Sequence, residues 1–326
     1  MRAVLCQALG QPLVVRDIAP PPLFADGVRI AVQAAGVNFA DSLVTNGQYQ
    51  EKLEPPFTPG FEAAGTVLEV APGVTSCRPG DRVMAVLSQG GYAEQAVARA
   101  GDVWVIPDSM DMVTAAGFPI TYGTSHYGLI ERCHLQPGET LLVHGAAGGV
   151  GLTAVEVGAA LGATVIATAG GPDKVAVALE HGAAHGIDYK AEDIRSRVKE
   201  LTGGRGVDVV YDPVGGSVFD ASLRCTAPNG RILVVGFASG KVSTPPGNLL
   251  LVKNLTVIGY NWGAYRTLTP ATWRDSLTQA LDWCAAGRLR PLVSRTLPLE
   301  QANEAIGLLK SRAATGKVVL TTAAQP

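Results

Sequence analysis

The run His144-Gly145-Ala146-Ala147-Gly148-Gly149-Val150-Gly151 is the segment best suited to chemistry on a ligand. It follows an apolar, strand-like stretch and opens a helical one, which is the context a dinucleotide-binding turn needs. The pattern is A-x-G-x-x-G, with Ala146 where the first glycine usually stands. Gly148 has no side chain to hold a diphosphate off the backbone, and Gly151 lets the helix pack close to the strand. N–H groups at the helix start, together with the helix dipole, favour an anion there. The same residues also fit a tight strand-to-helix turn with no ligand. The strand–turn–helix–strand order running on through Thr168 favours the nucleotide.

The next strand closes at Thr168-Ala169-Gly170-Gly171. A site for NAD would usually carry Asp or Glu here, to hold the ribose 2′-hydroxyl. Ala169 stands there instead. Lys174 follows, and its ammonium can meet a 2′-phosphate, so this pattern favours NADPH over NADH. Asp173 weighs the other way unless it caps the helix. Lys174 fits equally a solvated surface lysine.

Metal and thiol chemistry find less support. The five histidines (126, 134, 144, 181 and 185) are spread along the second half of the chain, where a lone His is more often a core or surface residue than a ligand. His144, beside the glycine turn, is the one that can meet a cofactor. Cys6, Cys77, Cys133, Cys225 and Cys284 are odd in number, scattered, and form no C-x-x-C, so a disulfide framework is not expected and a reduced, cytoplasmic setting is.

These groups sit in a chain of 326 residues with 26 Lys and Arg, 28 Asp and Glu, and a net charge of −2. That balance argues against nucleic acid or an anionic membrane as partner. No apolar run is long enough to span a bilayer, and the N-terminus turns polar too early for a signal peptide. Glycine, at 39 residues, exceeds the usual share and implies many tight turns.

Residues 1 to about 115 read as short strands. Val28, Ile30 and Val32 alternate with Arg29, Ala31 and Gln33, and 66–70, 82–87 and 92–98 are further candidates. Pro and Gly pairs punctuate them, as in a compact β barrel. Beyond about residue 120 the texture changes. Strands are expected at 140–144, 164–168, 207–211 and 231–235, and helices at 150–161, 173–180 and near 219–225. Apolar strands between helices are what a parallel sheet covered on both faces requires. Helical spacing recurs at 273–286 and 299–309, and a last strand at 317–320 returns to the β domain.

Several motifs occur in one order over almost the whole length: Gly36-Val37-Asn38-Phe39-Ala40-Asp41, Asn46-Gly47-Gln48-Tyr49, Pro59-Gly60-Phe61-Glu62-Ala63-Ala64-Gly65, Gly80-Asp81-Arg82-Val83, Gly91-Tyr92-Ala93-Glu94, Leu135-Gln136-Pro137-Gly138-Glu139, the glycine turn, Gly206-Val207-Asp208-Val209-Val210-Tyr211-Asp212 and Gly316-Lys317. On these the chain resembles the medium-chain dehydrogenase/reductase superfamily, and within it the zinc-free NADPH:quinone oxidoreductases. The resemblance implies an α/β architecture: a GroES-like β barrel from residues 1–120 and 266–326, with a Rossmann domain, a doubly wound parallel sheet, inserted at 121–265. It implies a substrate cleft between the two and a homodimer, to which the apolar edge segment Leu255–Tyr260 also points.

The positions equivalent to catalytic zinc ligands are Asn38, Phe61 and about Ile120, a set that cannot hold the metal. Without a Lewis acid, the implied reaction is hydride transfer from NADPH to an acceptor that delocalises charge, a small-molecule quinone or enone. A double-bond reductase acting on enoyl or alkenal substrates is the alternative, and a non-catalytic NADPH-binding protein a more distant one. By the resemblance, Tyr49 donates to or walls the acceptor, Asn38 orients acceptor or nicotinamide, and Asp41 serves catalysis or anchors its loop. Thr124 meets the nicotinamide end. Ala147, Gly148, Gly149 and Val150 cradle the diphosphate, and Gly170, Lys174 and Tyr189 surround the 2′-phosphate. Gly236, Phe237, Ala238, Tyr260, Asn261 and Trp262 flank the nicotinamide ribose.

Overall fold

The computed structural model describes residues 1–322. In chain order the strands are β1 (Arg2–Leu5), β2 (Val14–Asp17), β3 (Gly27–Val37), β4 (Glu62–Val70), β5 (Arg82–Val86), β6 (Gln95–Arg99), β7 (Val103–Val105), β8 (Thr140–Val143), β9 (Thr164–Ala169), β10 (His185–Asp188), β11 (Val207–Asp212), β12 (Thr226–Val234), β13 (Thr256–Gly259), β14 (Val293–Pro298) and β15 (Lys317–Thr321). The helices are α1 (Phe39–Thr45), α2 (Met112–Ala116), α3 (Pro119–Tyr127), α4 (Gly149–Ala160), α5 (Pro172–Glu180), α6 (Ile194–Leu201), α7 (Ser217–Cys225), α8 (Gly247–Lys253), α9 (Tyr265–Leu268), α10 (Pro270–Ala285) and α11 (Ala302–Lys310).

Packing divides the chain into Met1–Ile120 with Pro291–Pro326, and Thr121–Arg290. One unit is thus inserted in the other. The chain returns at Pro291, later than the expected 266, and the last four residues of the expected 266–326 segment lie outside the described residues. The physical reason is α10. Its buried residues Trp273, Ser276, Leu277, Ala280 and Leu281 follow helical spacing. Trp273 packs on Trp262 with ring centroids 5.0 Å apart, and Ser276 Oγ lies 2.8 Å from His126 Nδ1. Burying such a face holds 266–290 with the second unit.

In the first unit, β3 is the centre. It pairs antiparallel with β4, β6 and β15, within a sheet of order β14-β15-β3-β4-β5-β7. Val28, Ile30 and Val32, the alternating apolar positions, are fully buried. The last strand rejoins this domain as expected, with Val318 opposite Val37.

The second unit is a six-stranded, wholly parallel sheet of order β10-β9-β8-β11-β12-β13. Neighbouring residues of β8 show that both faces are covered. Leu142 belongs to a core with Ile194, Val198, Phe219 and Leu223 of α6 and α7. Leu141 instead lies under Gly158 of α4. Strand order reverses at β8, and the turn after β8 is where ligands bind in such sheets.

Candidate functional site

The turn between β8 and α4 has the expected form. Gly148 is the residue before α4, extended at φ −85° and ψ 174°, and no side chain caps this twelve-residue helix. A methyl group on Gly151 would lie 2.1 Å from the Gly145 carbonyl oxygen. Both partners are backbone, so position 151 must be glycine for this turn to form. The close approach is therefore to the turn itself rather than to the strand. Ala147, Gly148, Gly149 and Val150 present their backbone here. Below them, Ser125 Oγ reaches the Val150 carbonyl at 3.0 Å and Thr153 Oγ1 at 2.7 Å, bracing the first turn of α4.

At the end of β9, the hydroxyl of Tyr189 lies 2.5 Å from where a side chain on Gly170 would begin. Gly170 and Tyr189 are thus brought together, and Lys174 stands in the first turn of α5, partly buried. Asp173 is exposed in the same turn, and no side-chain hydrogen bond caps α5. Asp188 fixes the loop by accepting from the N–H of Gly171 at 2.8 Å and of Lys190 at 3.0 Å.

Beyond β12, the chain through Gly236, Phe237 and Ala238 leans on the turn after β11. Ala238 N–H donates to the Pro213 carbonyl at 3.0 Å, and Phe237 is partly exposed. Asp212 shapes that turn, its Oδ1 accepting from Val214 and Gly215 N–H at 2.8 and 2.9 Å. Thr124 and Tyr260 also meet, the tyrosine hydroxyl donating to the Thr124 carbonyl at 2.8 Å. Asn261 is exposed and its side chain accepts from Gly263 N–H, holding its own turn.

One expectation changes in this unit and another gains a packing role. Trp262 is buried against Trp273, and Gly123 is vacant of a side chain to admit its ring, so core packing fixes its position. His144 is fully buried, with Nδ1 2.9 Å from Thr168 Oγ1 and Nε2 2.8 Å from Ser222 Oγ. Both ring nitrogens are used inside the core, and burial pushes its pKa down to about 4.

In the first unit, Tyr49 is half-buried with its ring 5.6 Å from that of Phe61. Burial, and then the charge of Glu51, hold its hydroxyl above the ordinary tyrosine pKa, so it is a donor at neutral pH. Asp41 is wholly buried. Its Oδ2 accepts from Asn38 N–H at 2.7 Å, closing the start of α1, and from the Tyr92 hydroxyl at 2.8 Å. Burial pushes its pKa up to about 7. Of the two roles expected of Asp41, catalysis or anchoring its loop, the fully buried carboxyl bonded to the start of α1 fits the anchor.

Both polar atoms of the Asn38 side chain are engaged by charged groups. Its Nδ2 donates to Glu62 Oε1 at 2.9 Å, and its Oδ1 accepts from Lys317 Nζ at 2.8 Å. Of the other two positions compared with zinc ligands, Phe61 packs on Tyr49, and the backbone N–H of Ile120 donates to Glu62 Oε2 at 2.8 Å. Among the described residues, no group of three or more His, Cys, Asp or Glu is placed to hold a metal ion.

Residues 25–108 match the alcohol dehydrogenase GroES-like domain, and residues 149–284 match the zinc-binding dehydrogenase domain. The chain is 44% identical over 324 residues to a quinone oxidoreductase-like protein 2 homolog from Nematostella vectensis, covering 98% of this chain and 89% of that one. The chain belongs to the quinone oxidoreductase family of medium-chain dehydrogenases/reductases. Among solved structures, Escherichia coli quinone oxidoreductase complexed with NADPH is similar at TM-score 0.90 and 32% identity, over 98% of this chain and 100% of that one. The mycobacterial protein Rv1454c, also complexed with NADPH, is similar at TM-score 0.92 and 34% identity, with the same coverage.

For a member of this family the residues that sequence reasoning left out are as informative as those it found. Glu62, Lys317, Asp212 and Asp188 all hold site elements in place. Glu62, Lys317 and Asp212 lie inside the family-like motifs, but nothing local says which residue each one meets.

Proposed function

We propose that this chain is an NADPH-dependent oxidoreductase that reduces a quinone without zinc. The observation that carries the reading is the uncapped N-terminus of α4, entered through a turn that only glycine at 151 permits, with Ala169 in place of an acid at the end of β9 and Lys174, beside the exposed Asp173, and Tyr189 following it. These residues fit NADPH. The α4 terminus suits the diphosphate by backbone N–H groups and helix dipole. Lys174 supplies a cation for the 2′-phosphate, and Gly170 leaves room beside Tyr189.

NADPH, when bound, supplies a hydride, which with one proton from water converts quinone to hydroquinone and leaves NADP⁺. Tyr49 keeps its proton at neutral pH and donates a hydrogen bond to a quinone carbonyl. Asn38 contributes an amide N–H to the same oxygen as charge develops on it. Thr124, its carbonyl held by Tyr260, borders the nicotinamide. Asp41 anchors the helix that carries Asn38.

Assembly as a homodimer and a cytoplasmic setting complete the reading. Strand β13 ends the parallel sheet with an unpaired edge, and α8, just before it in the chain, exposes Leu251 and Val252 at 76% and 74%. An apolar edge of this kind is stabilised by pairing with a second copy.

The deciding experiment is oxidation of NADPH and NADH against a panel of quinones, enones and enoyl thioesters. Turnover with quinones and NADPH, undiminished after chelator treatment, is expected. Faster turnover of enones would move the assignment to double-bond reduction. Tight NADPH binding with no turnover of any acceptor would sink the enzyme reading.

A further inference from the structure

Lys317 is a buried cation with every donor used. Its Nζ donates to the Val37 carbonyl at 3.0 Å, to Asn38 Oδ1 at 2.8 Å and to Glu62 Oε1 at 2.7 Å. Lys317 is 6% exposed and Glu62 fully buried. Space for the pair is built into the backbone. A methyl on Gly36 would lie 2.2 Å from Glu62 Oε1 and 2.5 Å from the Ala116 carbonyl, and a methyl on Gly117 would press the Lys317 side chain. Glu62 Oε2 is in turn occupied by Ile120 N–H.

Three full bonds on the ammonium leave it no proton to offer a substrate. What it does fix is the Asn38 amide. Oδ1 faces an ammonium and Nδ2 faces a carboxylate, so the flipped amide would set donor against donor and acceptor against acceptor. One of the two Nδ2 hydrogens goes to Glu62, and the other has no partner among the described residues.

We propose that Lys317 is a positioning residue, whose ammonium, held by Glu62, locks the Asn38 amide so that one N–H is always presented to the acceptor oxygen. This rests on the reading of Asn38 as an acceptor contact. The pair takes no part in the proton or hydride transfer. It removes the half of the rotamers in which Asn38 would turn an oxygen toward developing negative charge.

The test compares Glu62→Gln, Lys317→Met/Glu62→Gln, and both with and without Asn38→Ala, by NADPH affinity and by kcat and KM for a quinone. Lys317→Met/Glu62→Gln removes both charges together, which spares the core an unpaired ion. Its kcat is expected to fall roughly tenfold with NADPH affinity unchanged, and adding Asn38→Ala is expected to cost little more, because the loss acts through Asn38. Glu62→Gln alone keeps the ammonium on Oδ1 and is expected to lose no more than about threefold. Unchanged kcat in the charge-free pair, or losses that add with Asn38→Ala, would overturn the proposal. Should that variant not fold, Glu62→Gln decides: a loss of about tenfold or more would overturn it. Asn38→Ala alone with full activity would instead remove the underlying reading of Asn38.

Discussion

The two units bury polar groups in different ways. The first organises its interior around a cation, with Lys317 between Glu62 and Asn38, and Asp41 closed off beside Tyr92. The second has no Lys or Arg among its buried residues. Of its two buried histidines, His144 bridges two hydroxyls, and its buried carboxylates accept from hydroxyl, imidazole and backbone donors. Glu156, for example, accepts from the Tyr122 hydroxyl, His181 and Arg290 N–H. The contrast follows from what each unit does in this account. A neutral acceptor brings no charge, so the first unit supplies internal charges to fix one donor. NADPH brings several negative charges, so the second unit needs only backbone N–H groups, a helix dipole and a partly exposed lysine.

Breaking the second unit's backbone cradle should have the largest effect. Gly151→Ala sets a methyl against the Gly145 carbonyl, and neither side can yield without moving the turn. NADPH affinity should drop about a hundredfold or more by equilibrium titration, or the unit should fail to fold. Affinity within threefold would show that the turn does not cradle the diphosphate.

Lys174→Ala should be next. It should raise KM for NADPH about tenfold while KM for NADH moves less than about twofold. Equal effects on both would remove the 2′-phosphate assignment.

The contrast also predicts opposite pH responses. Asp41, with its pKa raised by burial to about 7, keeps a proton in the folded chain that the unfolded chain releases near pH 4. The contribution of this group to stability is complete below about pH 4 and is lost as pH rises toward 7. His144 and His126, pushed by burial to about 4, are neutral in the folded chain while the unfolded chain protonates them below about pH 6.5. Their effect raises stability as pH climbs from about 4 to 6.5. Hydrogen exchange measured unit by unit across this window should show the first unit losing protection that Asp41→Asn retains, and the second unit gaining it. The same slope in wild type and Asp41→Asn would refute the buried, protonated Asp41.

The smallest effect should come at the sheet edge. Leu251→Glu should shift the chain from dimer toward monomer in light scattering and leave NADPH affinity unchanged. A wild-type monomer would remove the β13 edge from the account.

How much of this was legible in the sequence depended on whether the signal is local. Strands β8, β9 and β11 are short, mostly apolar runs and read within a residue or two of their observed ends. Helix α4 was readable because the glycine turn marks its start. Strand β10 and helix α6 were not read: His185-Gly186-Ile187-Asp188 has too few apolar residues for a strand pattern, and half of α6 is charged. β14 was missed because four of its six residues are exposed and it shows no apolar alternation. The cofactor turn was legible because backbone geometry demands glycine. The Lys317–Glu62 pair was not, because its members are 255 residues apart and meet only once β15 lies beside β3 and β3 beside β4. The packing of Trp262 was not legible either, because its partner Trp273 lies on α10 and meets it only in the fold.

The most direct test of this division of labour is to measure NADPH dissociation and quinone turnover together in Asn38→Ala. The account predicts turnover lower by about tenfold or more, with the NADPH dissociation constant within about twofold of wild type. Undiminished turnover, or an equal loss in both quantities, would contradict it.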